Sequence, residues 1–115
     1  MTVVRFQVRL EDEAQADEVA SELEQRLGAL AAVEEVQAEP AEPQVIGEIA
    51  IVVAGAVALT RGGRDIVAGV RETVDELRRL VESWRELKRT LFVEVDGEQK
   101  DVRDITDEEL ERLAS

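Results

Sequence analysis

The sequence predicts an α+β domain with a small sheet covered by long helices. Three observations carry this. Val4, Phe6, Val8 and Leu10 alternate with Val3, Arg5, Gln7 and Arg9, the period of a strand with one face on a core. Ile66, Val70, Thr73, Leu77, Leu80, Trp84, Leu87 and Leu91 follow at alternating spacings of 4 and 3, a heptad seam. Asp96-Gly97 between apolar-alternating segments is the strongest hairpin signal in the chain. The expected order is βαβ-αα-ββ-α, with an N-terminal strand, room for a second strand and a C-terminal hairpin. All of it falls in a single domain, 1–115, which is what this length supports.

After the first strand, Asp12 is placed to cap a helix over about residues 13–27, with Gln15 at the capping-box position. Ala16, Val19, Ala20, Leu23 and Leu27 form its apolar face, and acids crowd its start, where the helix dipole favours them. Gly28 is placed to end it in a left-handed turn. Residues 32–39 alternate weakly and have room for a short strand, before a connector bracketed by Pro40 and Pro43.

Residues 45–60 are the most apolar stretch and read as a helix. Ile46, Ile49, Val53 and Val57 make one stripe, and Ala50, Ala54 and Ala58 recur at i,i+4 beside Gly47 and Gly55, which permits close approach. This segment has three readings: core helix, interface, or peripheral membrane contact. The uninterrupted run Ile49–Leu59 is too short for a membrane span of about 20 residues, which makes insertion the weakest of them. Arg61-Gly62-Gly63-Arg64 then marks a kink or a turn.

Asp65 opens the seam helix, expected over 65–89 and about 37 Å long. Val67, Val74 and Val81 widen its stripe, and Asp75–Arg79 and Glu82–Arg85 are spaced to pair on the outer face. In the hairpin, a two-residue turn pairs Val95 with Glu98, Val93 with Lys100 and Leu91 with Val102. The polar return strand suits an exposed edge. Thr106 and Glu109 form a capping box for a last short helix carrying Leu110 and Leu113.

Composition narrows the function classes. The chain has no His and no Cys, which removes the commonest general bases, thiolate nucleophiles and zinc ligand sets. Ser21, Ser83 and Ser115 have no evident base to activate them. A carboxylate-only enzyme remains as a reading, but so short and aromatic-poor a chain offers little for a sugar cleft. A net charge of −13 and 3% aromatics exclude a phosphate-tracking or base-stacking nucleic-acid binder. The Gly62-Gly63 pair lacks the spacing and Lys of a phosphate-binding loop. Asp101, Asp104 and Asp107 lack the alternation and central Gly of a calcium loop. No catalytic, cofactor or metal site is therefore expected. Lack of Cys and of a signal-peptide pattern after Met1 leads to an expected cytoplasmic location.

The pattern as a whole resembles the effector-associated constant component proteins of bacterial conflict systems. The residues that carry the resemblance are the strand Val3–Leu10, the connector Pro40–Pro43 and the apolar stretch Ile46–Leu59. The run Trp84-Arg85-Glu86-Leu87-Lys88-Arg89 and the strand-turn Leu91–Gly97 complete it. A longer, more acidic segment around Thr73–Val81 departs from the pattern. The resemblance implies a small non-catalytic adaptor whose protein partner is a protease-type effector or its regulator. The alternatives are a protomer of a homo-oligomer and a peripheral membrane component acting through residues 45–59. Either association would use the apolar helices, with Val53, Val57, Leu77, Leu80, Trp84 and Leu87 as expected interface residues. The reason is that one small sheet would not cover two apolar helices, and a bare one would expose a patch unusual for a monomer.

Overall fold

Period-two alternation at the start of the chain folds as strand β1 (Thr2–Leu10), buried and open positions alternating along its length. The computed structural model describes residues 2–10, 15–41, 51–59, 66–84 and 89–114. After β1 come α1 (Ala16–Gly28), β2 (Val33–Ala41), β3 (Ile51–Leu59) and α2 (Ile66–Ser83). They are followed by β4 (Arg89–Val95), β5 (Glu98–Asp101), a 3-10 turn (Val102–Asp104) and α3 (Asp107–Ala114). The strands form one sheet in the order β2-β3-β1-β4-β5, with every neighbour antiparallel. β1 and β2 therefore run parallel with β3 between them, and β3 and β4 run parallel with β1 between them. These are two interlocked split β-α-β units, the ferredoxin-like arrangement, extended by β5 and α3.

The main correction concerns residues 45–60. The described part is not a helix but β3, which lies between β1 and β2 inside the sheet. Val53, Val57 and Leu59 are buried on one face, and Ala54, Ala56 and Ala58 are half-buried on the other. A spacing of four fits a helix and is also a multiple of the strand's two, so the stripe Ile49–Val53–Val57 does not discriminate. The β-branched run Ile51-Val52-Val53 does, because such side chains are stiff in helices and pack well on a pleat. Among the described residues the sheet accordingly has five strands, where a smaller one with an extra helix is expected from sequence. The Gly62-Gly63 segment and the Asp12 cap lie outside the described residues.

Gly55 is the reason β3 can sit beside β1. It pairs with Phe6, and a side chain there would run into the Phe6 ring and the Gln37 carbonyl oxygen. The ring fills the space the glycine leaves, so a bulky aromatic and a bare backbone share one position of the core face.

Both long helices lie on that face. Val19, Leu23 and Leu27 of α1 and Val70, Val74, Leu77 and Leu80 of α2 are fully buried against Val4, Val8, Val53, Leu91 and Val93. Burying each such side chain contributes about 1.5–3 kcal/mol. α1 departs from expectation at its end: Gly28 is still helical, and Leu30 N–H to Leu27 O (3.1 Å) and Val33 N–H to Leu30 O (3.1 Å) carry the chain into β2 without a left-handed residue. From Val70 to Trp84 the heptad seam is the buried stripe of α2 and its end, with Ile66 half-buried, and Thr73, its polar member, donates its hydroxyl to Gly69 O at 2.9 Å. The helix is shorter than the expected 65–89. It stops at Ser83, Leu87 lies outside the described residues, and Leu91 belongs to β4. In place of the expected Asp75–Arg79, Asp75 pairs with Arg78 at i,i+3, and the buried Glu76 pairs with Arg79; Arg85 of the expected Glu82–Arg85 pair lies outside the described residues.

At the far edge, Asp96 (φ 52°) and Gly97 (φ 83°) make the primed two-residue turn that matches strand twist. Val95–Glu98 and Val93–Lys100 pair as expected, whereas Val102 leaves the sheet for the 3-10 turn before reaching Leu91. Arg78 ties that turn to α2, donating from Nε to Val102 O (3.0 Å) and from Nη2 to Ile105 O (2.7 Å). Thr106 and Glu109 form the reciprocal capping box of α3.

Candidate interaction surface

With both helices on one face, the opposite face of the sheet carries no described element. Its centre is a furrow of small residues. Register places Ala58 between Glu35 and Val3, Ala56 between Gln37 and Arg5, and Ala54 between Glu39 and Gln7. The alanine methyls barely rise above the backbone, so the longer side chains of β1 and β2 stand as two banks. Arg5, Gln37, Glu39, Pro40 and the backbone at Gly55 line a shallow depression over the furrow. Val3, at its end, is 41% exposed and the large apolar side chain most open to solvent among the described residues.

The charges on this face are mixed. On β1, Arg5 Nε lies 4.0 Å from Glu94 of β4, and the Arg9 guanidinium sits 4.7 Å from the Phe92 ring centroid. On β2, Glu35 takes a hydrogen bond from Gln37 Nε2 at 3.1 Å, and Glu39 is exposed. Arg9 already covers the one described aromatic on the face, so no open ring is left for a nucleic-acid base to stack on.

The edges are less accessible than the face. β2 is one edge, but its Ala38 N–H is taken by Glu24 of α1 (3.4 Å), Pro40 has no N–H, and the ladder is irregular at Val33/Glu35. β5 is the other edge and is only four residues long. Neither offers a long template for an added strand.

The expected interface residues are elsewhere. Val53, Val57, Leu77 and Leu80 are 0% exposed and Trp84 is 3% exposed, all within the chain's own core. Trp84 Nε1 donates to Glu22 (3.4 Å), and the Arg89 guanidinium lies 5.3 Å from its ring. Because residues 51–59 are a sheet strand and not part of a second apolar helix, the core covers Val53 and Val57 together with the seam from Val70 to Trp84, while Ile46, Ile49 and Leu87 lie outside the described residues. What sequence reading missed is Ala54, Ala56 and Ala58 as an outward-facing row. The signal was present: from Val53 onward every second residue is alanine, with Val53, Val57 and Leu59 between and Gly55 as the exception, a period of two in size where no period in polarity exists.

The titratable clusters are built as struts. Glu76 of α2 is buried between Arg26 of α1 (2.9 Å) and Arg79 (3.1 Å). The hydrogen bond from Arg26 holds its carboxyl below the usual glutamate range, against the opposing effect of burial. Asp101 is lowered by Arg103, and Glu109 is lowered first by Lys100, its ion-pair partner, and then by Thr106. All three shifts are opposite to that of a carboxylic acid poised to donate a proton near neutral pH. Asp101 faces Arg103 and Asp107 faces Arg71, so the aspartates of this segment do not gather, and no metal-binding group of three acids occurs among the described residues.

A lowered folded-state pKa stabilises the fold above the unfolded-state value, and that contribution is lost as pH falls through the folded value. Urea unfolding between neutral pH and about pH 3 is therefore expected to show falling stability, with a shallower slope in Glu76→Gln, where the carboxylate at the junction of α1 and α2 is gone. An unchanged slope in that variant would assign the acid sensitivity to other groups.

No described helix is long and apolar enough to cross a membrane. Comparison with protein-family models, curated proteins and solved structures returns no match for the chain.

Proposed function

We propose that this chain is a non-catalytic interaction component, an adaptor whose working surface is the open sheet face over Ala54, Ala56 and Ala58. The observation that carries the reading is that face: a broad surface with small residues along its centre, mixed charge on its banks and no described element over it. The absence of His and Cys from the sequence and the downward shifts of Glu76, Asp101 and Glu109 favour binding over catalysis. The resemblance to effector-associated constant components supplies the partner class, a protease-type effector or its regulator in a bacterial conflict system, working in the cytoplasm.

The test is binding of the purified chain to the product of a neighbouring protease-type gene, with and without Ala56→Glu. This substitution puts a charge in the middle of the furrow without touching the core face. Affinity is expected to fall at least tenfold, which is about 1.4 kcal/mol. Equal binding by wild type and a folded Ala56→Glu variant would remove the furrow from the interaction.

A further inference from the structure

We propose that the open sheet face pairs with the same face of a second copy of this chain, the two sheets stacked about a twofold axis running along β3. The proposal rests on the interaction reading above and names its occupant. Charge placement selects it. Both outward arginines of β1, Arg5 and Arg9, lie on one side of the alanine furrow, and Glu35 and Glu39 of β2 lie on the other. A twofold axis along β3 lays β1 of each copy over β2 of the other. Arg5 then stands opposite the Gln37 position, between Glu35 and Glu39 of the second copy, and Arg9 stands one row beyond Glu39. Each attraction occurs twice, as an isologous interface requires.

Net charge points the same way. A chain of −13 repels itself over most of its surface. Across the three overlapping strands Arg5 and Arg9 balance Glu35 and Glu39, so two copies meet here with little like-charge opposition. The alanines allow two sheets to approach while leaving room for the arginine side chains between them. Three nine-residue strands, β2, β3 and β1, overlap their counterparts over a rectangle of about 30 by 14 Å, so two copies bury on the order of 850 Å², the size of a transient contact. The product is a weak, reversible dimer. A nucleic acid fits the face poorly, given the acidic bank and the ring covered by Arg9. A purely basic or acidic peptide would meet one bank favourably and be repelled by the other.

Light scattering and sedimentation of the full chain from about 10 μM to about 1 mM provide the test, a range suited to a weak dimer. The expected result is a concentration-dependent dimer. Arg5→Glu and Glu35→Arg should each weaken it at least tenfold, and the double variant should return to within about threefold of wild type, because the swapped pair regenerates the attraction. Ala56→Glu, next to the axis, should weaken it as well, since its charge meets its own copy. Circular dichroism and urea midpoints establish that each variant is folded. A chain that stays monomeric at the highest concentration overturns the proposal, as does a dimer insensitive to all these variants or a double variant no better than the singles. If the chain is monomeric and Ala56→Glu still abolishes binding to the neighbouring gene product, self-association fails and the adaptor reading stands. A dimer that responds to the charge swaps while partner binding ignores Ala56→Glu supports self-association and removes the adaptor surface.

Discussion

Gly55→Ala is expected to destabilise the fold by about 3 kcal/mol, the upper end for inserting a single methyl into a close-packed site. The added carbon would fall well inside contact distance of both the Phe6 ring and the Gln37 carbonyl oxygen. Those neighbours lie on the two strands that flank β3, so moving β3 away from one presses it against the other. The backbone at Gly55 does not have a positive φ, so the cost is steric and not a matter of dihedral preference. Urea denaturation checks the magnitude. Phe6→Leu in the Gly55→Ala background should recover part of the loss by freeing the ring's space, but not all of it, because the Gln37 oxygen is backbone. A Gly55→Ala protein as stable as wild type would mean that the sheet can separate locally at no cost, contrary to the packing described above.

The second large effect is expected at Arg78. Arg78→Met keeps most of the side chain's apolar stem while removing the donors to Val102 O and Ile105 O. Hydrogen bonds from a charged group contribute about 1.5–3 kcal/mol each, and partial exposure of the site lets water replace some of that, so a loss of about 2–3 kcal/mol is expected. Asp75→Ala, which removes only the half-exposed ion pair at 3.3 Å, should cost about 0.5 kcal/mol. If the two variants lose equal amounts, the carbonyl contacts contribute little, and packing of Val102 and Ile105 alone holds the turn and α3 against α2.

Much of this architecture was legible in the residues. β1, the face of α1, the seam of α2, the Asp96-Gly97 turn and the Thr106–Glu109 box were each readable because one local rule decides them: a period, a positive-φ requirement or a reciprocal pair of hydrogen bonds. β3 was not, because a strand inside a sheet with an alanine row outward has no polar alternation to report its period. The consequence spreads. Read as a helix, 45–60 leaves Val53, Val57 and Trp84 in need of a partner, whereas pairing β3 with β1 puts Val53 and Val57 in the core, and Trp84 is buried beside Glu22 and Arg89. The candidate surface was hidden for the same reason, since Ala54, Ala56 and Ala58 acquire meaning only from the register that sets them between Arg5 and Glu39. Register is a long-range property, and no window along the chain contains it.

The interleaving of the strands also dictates an order of events during synthesis. β1 and β2 never touch; each is joined to the other through β3. A nascent chain that has emerged only as far as Ala41 holds two strands and a helix but no ladder to join them. Sheet formation must wait for residues 51–59, which then enter between two segments already outside the ribosome. Phe6 meets Gly55 across 49 residues and Val93 across 87, so even the central strand acquires its two neighbours at widely separated times. Loop-closure entropy must be overcome before either ladder offsets it, which slows assembly relative to a sheet built from sequential hairpins. Until β3 arrives, Val4, Phe6 and Val8 lack the strand that joins them to β2, and the core face of β1 stays incomplete.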